Sequence, residues 1–165
     1  MNFRMITLDD VDAFWELQNQ LDRETKFMMY EPGERKKDLG PVQETIRAVI
    51  EGNDFLEVAE VDGQLVGYLS AKRGRVIRTQ HAVYVYTGVL TPFQNQGIAT
   101  TFFKHLDDWA HQNGVKRMEL VVMAPNECAI HVYKKSGFEL EGLLRYSVVV
   151  DGKYLDEYTM AKLVD

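Results

Sequence analysis

Residues 89–103, VLTPFQNQGIATTFF, change character twice. Strand-like apolar residues give way to a proline-containing loop, and after Gly97 the apolar residues recur at helical spacing. A helix starting at Gly97 leaves the N–H groups of its first turn without carbonyl partners. Those donors and the positive end of the helix dipole attract anions, phosphates above all. Gly97 and Ala99 are small enough for a bulky anion to approach the backbone, and Gln94, Asn95, Gln96 and Thr100 can donate from their side chains. The turn therefore suits a diphosphate. It equally suits a helix that merely starts after a proline turn. It lacks the Gly-Lys-Ser/Thr ending of nucleotide-hydrolase loops and the three glycines of dinucleotide loops.

The flanking chain predicts the layers around this junction. A short strand at 2–7 precedes a helix with Val11, Phe14, Trp15 and Leu21 inward and Asp9 or Asp10 as its cap. Residues 25–41 carry Pro32, Gly33, Gly40 and Pro41 without a sustained period and read as a long loop, a kind of segment that is often functional. A helix over 42–51 is expected to bury Ile46, Val49 and Ile50. Asp62-Gly63 joins two strand-like runs as a tight hairpin. HAVYVYTGVL is apolar or aromatic on both alternating faces and predicts a central strand covered on both sides. Helix 97–113 should bury Ile98, Phe102, Leu106, Trp109 and Ala110 and stop at Gly114. A strand at KRMELVVM, a short helix closed by Gly137 and a strand pair turning at Asp151-Gly152 complete the order β-α-α-β-β-β-α-β-α-β-β. That order predicts a single domain over 1–165 of the α/β class, with a mixed, mostly antiparallel central sheet flanked by helices.

Composition narrows the partners. The chain has 19 basic and 25 acidic residues, for a net charge of −6, which argues against a broad nucleic-acid-binding or anionic-membrane surface. Cys128 is the only cysteine, so no intrachain disulfide forms and a reducing compartment fits. There is no apolar leader or membrane-length run, and the expected location is cytoplasmic. His81, His105, His111 and His131 have no metal-like spacing, so no metal site is expected.

A second motif lies in NECAIHVYKKSGF. Asn126, Ala129, Ile130 and Tyr133 stand at i, i+3, i+4 and i+7, so Asn126 and Tyr133 share one helix face roughly 10 Å apart. By themselves they read as an N-cap and a core aromatic. Together with the first turn, the sequence resembles the GNAT superfamily of acetyl-CoA-dependent N-acetyltransferases. The family's Gln/Arg-x-x-Gly-x-Gly/Ala signature stands here as Gln94-Asn95-Gln96-Gly97-Ile98-Ala99. Its Asn, Ala, Tyr, Gly-Phe motif stands as Asn126, Ala129, Tyr133, Gly137 and Phe138.

The resemblance implies that acetyl-CoA is the cosubstrate, with its diphosphate on the backbone from Gln94 to Thr100. It implies that Val89 bonds the pantetheine arm through its backbone, that Asn126 lies near the pantetheine or thioester, and that Tyr133 protonates the departing thiolate. Asn95 stands where relatives often have glycine and is expected in a left-handed conformation, which asparagine tolerates. It implies a small-molecule amine or a peptide N-terminus as the acceptor, and the charge balance leads us to expect no nucleic acid or membrane partner. A homodimer is expected from the frequency of dimers among relatives, and a non-catalytic acetyl-CoA sensor is the other reading.

The acceptor amine must lose a proton, and the base is the least defined role. Relatives place a glutamate where this chain has Val83 or Val121. Glu119, two residues before Val121 on the same strand face, is the candidate, with a chain of waters as its rival. Phe27, Met28, Met29 and Tyr30 with EPGERKKD are expected to wall the acceptor site, with Glu31 or Glu34 facing a cationic amine.

Overall fold

The computed structural model describes residues 1–165. The chain forms β1 (Asn2–Met5), α1 (Val11–Glu24), α2 (Gly40–Ile50), β2 (Phe55–Val61) and β3 (Gln64–Arg73). It continues through β4 (Ala82–Val89), α3 (Ile98–Gln112), β5 (Arg117–Met123), α4 (Glu127–Lys135), β6 (Glu139–Val150) and β7 (Lys153–Leu163). The strands make one seven-stranded sheet in the order β1-β2-β3-β4-β5-β7-β6. Every pair is antiparallel except β4–β5. This is the mixed α/β layer fold that the element order predicts.

Hairpin and helix chemistry follow the sequence closely. Asp62 and Gly63 both take positive φ, 50° and 78°, as a two-residue turn matched to strand twist requires. Asp151 and Gly152 repeat the arrangement between β6 and β7. Helices cover both sheet faces. Tyr68 of β3 meets Phe14 of α1 edge-on, with ring centroids 5.0 Å apart. Its neighbour Gly67 points the other way, where an added Cβ would lie 3.6 Å from Ile98 of α3.

Three expectations change. Asp10 does not cap α1 with its side chain. It turns back to accept from the Thr7 N–H at 2.8 Å and to pair with Arg4, also at 2.8 Å. Ile50 is 59 % exposed, because α2 spends its inner stripe on Val42, Ile46 and Val49 and Ile50 lies beyond it. Strand β4 is fully covered on one face, whereas the other is covered only at Gly88, where Leu21 of α1 packs. Val83 and Val85 are buried, whereas Tyr84 is half-buried and Tyr86 exposed.

The bare face of β4 adjoins the one break in the sheet. β4 and β5 pair only over Ala82–Tyr84 with Arg117–Glu119. Parallel neighbours need a crossover, here α3, which leaves the end of β4 through the Gly97 turn. Past Tyr84 the strands part, and a wedge opens between Val85–Val89 and Leu120–Met123.

Candidate active site

The wedge is the floor of a cleft of about 1810 Å³ that runs from the Gly97 turn to the loop at 25–39. At one end, Gly97 takes φ 80° and Asn95 φ 60°, so asparagine does adopt the left-handed conformation expected of it. No backbone carbonyl accepts from the N–H groups of Gly97, Ile98, Ala99 or Thr100, and the first helical bond is Thr101 N–H to Gly97 O at 3.0 Å. A Cβ built on Gly97 would have no atom within 4 Å. Free donors around open space fit the diphosphate of acetyl-CoA.

The side chains of this turn behave less uniformly than the sequence suggests. Gln94 lines the cleft, but its amide donates to the Val89 carbonyl at 3.1 Å and so ties the turn to the end of β4. Gln96 lies off the cleft, with its amide 3.4 Å from the Pro92 carbonyl. The expected side-chain donation by these two residues is therefore replaced by bonds within the turn, and the open donors are backbone N–H groups. Val89, Asn95, Ile98, Ala99 and Thr100 all line the cleft. The Glu24 carboxylate accepts from the Thr91 N–H at 2.7 Å, anchoring the loop before the turn to the end of α1.

Across the wedge, α4 carries Asn126 and Tyr133 into the same cleft. Asn126 is the N-cap, its Oδ1 accepting from Ala129 N–H at 3.3 Å. The Tyr133 ring packs edge-on against Phe103, with centroids 5.8 Å apart. Burial raises its phenol well above the ordinary value, with Tyr68 and Tyr84 adding to the shift. The hydroxyl therefore keeps its proton throughout the neutral range. Tyr84 faces the cleft from β4, and burial, helped by Tyr86, Glu157 and Glu119, pushes its phenol up to about 12.

Glu119 is not brought to this site. It stands at the last paired position of β5, opposite Tyr84, before the wedge opens, and it is not among the residues lining the cleft. Arg117 Nε holds it at 2.8 Å, while the rest of that guanidinium grips Glu141 at 2.6 Å and 3.0 Å. Of the carboxylates that line the cleft, Glu157 of β7 is the buried one, at 8 % exposed. The sequence offered one signal for it, an acid sharing a strand face with Leu155 and Thr159, and the pairing that sets it near the wedge is long-range.

The far end of the cleft is walled by Phe27, Met28, Met29, Tyr30, Glu34 and Arg35, as the loop's composition suggested; Glu31 is not part of the wall. Arg35 fixes the loop. Its Nε donates to the fully buried Asp22 at 2.7 Å, and its guanidinium stacks 4.7 Å from the Tyr30 ring. Trp15 Nε1 adds a bond to the Lys36 carbonyl at 2.9 Å. Arg35→Ala strands a buried carboxylate and is expected to lower unfolding free energy by about 2 kcal/mol in a urea titration. Unchanged stability would mean that Asp22 finds solvent when the loop lets go.

A donor-lined turn, a split parallel strand pair and a buried phenol share one cleft, which could seat a phosphate-bearing cosubstrate. The acetyltransferase (GNAT) family model matches residues 15–138, and the chain belongs to that family. It is 34% identical over 110 residues to the L-amino acid N-acetyltransferase AaaT of Escherichia coli K12, covering 64% of this chain and 66% of that one. Among solved structures it is similar to a GNAT-family acetyltransferase from Streptococcus pneumoniae, with a TM-score of 0.94 at 21% identity and 99% of both chains covered. YncA of Salmonella typhimurium, solved with its cofactor acetyl-CoA, aligns with a TM-score of 0.88 at 22% identity over 100% of this chain and 94% of that one. No helix of the chain is long and apolar enough to cross a membrane.

Proposed function

We propose that the chain is an acetyl-CoA-dependent N-acetyltransferase that passes acetyl directly to a primary amine, either a small metabolite amine or a peptide α-amine. The observation that carries this reading is the sharing of one cleft by the unpartnered N–H groups of 97–100 and the Tyr133 hydroxyl, on either side of the β4–β5 wedge. In this reading the backbone from Gln94 to Thr100 holds the diphosphate, and the edge of β4 near Val89 guides the pantetheine arm into the wedge. Asn126, already committed through Oδ1 to its cap, has its amide N–H groups left for the arm or the thioester carbonyl. Tyr133 donates its proton to the sulfur as the thioester breaks.

The amine enters from the open β4 face, past Tyr84 and Tyr86 and under the 25–39 loop. The name of AaaT supports an α-amine on an amino acid as one acceptor class. The test is free-thiol release from acetyl-CoA with polyamines, amino acids, aminoglycosides and short peptides with free N-termini. Release with one group names the acceptor class. Acetyl-CoA binding without release from any of them would overturn transfer to a primary amine and leave a sensor of the coenzyme.

A further inference from the structure

Five acidic side chains are buried in this chain, and four of them have a basic partner. Asp10 meets Arg4, Asp22 meets Arg35, Asp54 meets Arg75, and Glu57 meets His105, all within 2.9 Å. Glu157 is the fifth. Its one hydrogen-bond partner is the Ser147 hydroxyl, which donates to Oε1 at 2.5 Å, and it forms no salt bridge. A buried carboxylate without a counter-charge is costly unless something completes it. This one opens onto the cleft.

Its surroundings are built. Glu157 pairs in register with Met123, on the strand face that also holds Val121, where β5 borders the wedge. Opposite it, β6 is irregular. Leu144 pairs with Glu157 and Val148 with Leu155, so Arg145, Tyr146 and Ser147 stand against the single residue Asp156. Tyr146 takes φ 51°, a left-handed conformation unfavourable for a bulky residue, and its N–H donates to Asp156 Oδ1 at 2.8 Å. Bulges re-aim side chains and recur beside active sites. This one delivers the Ser147 hydroxyl to Glu157. From β4, Tyr84 is close enough for the Glu157 charge to help hold its proton on.

We propose that Glu157, oriented by Ser147 from the β6 bulge, receives the acceptor as a primary ammonium ion and takes a proton from it. The assignment rests on the acetyltransferase reading above. The carboxylate accepts one proton from R–NH3⁺ and passes it to solvent. The neutral nitrogen then forms the C–N bond as the C–S bond breaks. The second proton lost by nitrogen returns to the Tyr133 oxygen, which has given its own to sulfur, so the products are amide, free thiol and one released proton. A cationic amine is thus both the missing counter-charge and the substrate.

The test compares cationic amines (n-butylamine, spermidine and a short peptide with a free N-terminus) with hydroxylamine, a nucleophile largely uncharged at pH 7. Glu157→Gln keeps the shape and the contact with Ser147. It is expected to lower kcat/KM for the cationic amines about 100-fold, to change it less than about threefold for hydroxylamine, and to leave acetyl-CoA affinity unchanged. Ser147→Ala should lower kcat/KM for the cationic amines about tenfold, with hydroxylamine again spared. Equal losses for both kinds of acceptor, or no loss, overturn the role of Glu157. So does a wild-type protein that acetylates hydroxylamine and none of the cationic amines. Failure of the wild type with every acceptor, despite bound acetyl-CoA, overturns the acetyltransferase reading itself.

Discussion

Gly97→Glu is expected to abolish measurable acetyl-CoA binding. The turn at Gly97 has φ 80°, and an added Cβ meets nothing within 4 Å, so substitution has two separable costs. The first is backbone strain, about 1 kcal/mol for a residue with a Cβ in the left-handed region, and it falls on folding. The second is specific to binding. A carboxylate about 5 Å from one phosphate charge costs about 3 kcal/mol at an effective dielectric constant near 20, a loss of about 100-fold or more, and a diphosphate offers two such charges. Gly97→Ala therefore serves as the control. It carries the strain without the charge and should keep affinity within about fivefold in calorimetry, while Gly97→Glu shows no binding at the same protein concentration. Equal affinities for both variants and the parent would remove the diphosphate from this turn.

Much of this site was legible because its signals are local. A glycine before a helical apolar stripe announces free N–H groups, and Asn126 with Tyr133 at i and i+7 announces a shared face. Asp62-Gly63 and Asp151-Gly152 mark their hairpins by the conformations that those residues tolerate. What the sequence did not disclose depends on pairing between distant segments. β4 looks two-sided by composition, and only the splay from β5 leaves Tyr84 and Tyr86 facing a cleft. Glu119 looked available because strand periodicity puts it on the face of Val121, yet periodicity does not show the still-paired end of the wedge or the grip of Arg117. Gln94 and Gln96 were read as donors to a ligand, but short amide side chains beside a turn also reach its own carbonyls. Glu157 enters the cleft through β5–β7 pairing and a bulge in β6, neither of which leaves a local mark.

Tyr133→Phe is expected to lower kcat about 100-fold, a loss of about 2.7 kcal/mol of transition-state stabilisation, with acetyl-CoA affinity nearly unchanged. The ring keeps its packing against Phe103 and Phe138 without the hydroxyl, so binding and folding should be insensitive to the change. Burial raises the phenol above its ordinary value, so the hydroxyl holds its proton until a developing thiolate can take it. The pH profile follows from that direction. An acid whose pKa is raised stays protonated up to and beyond about pH 10, the ordinary phenol value. With n-butylamine at saturation, an acceptor that stays an ammonium ion through this range, the parent kcat should therefore show no alkaline fall below that point. The phenylalanine variant should follow the same profile at a lower rate. A variant that matches the parent at neutral pH would assign the thiolate's proton to solvent. A parent rate that falls between pH 8 and pH 9 would mean that the acid is a group of lower pKa than this buried phenol.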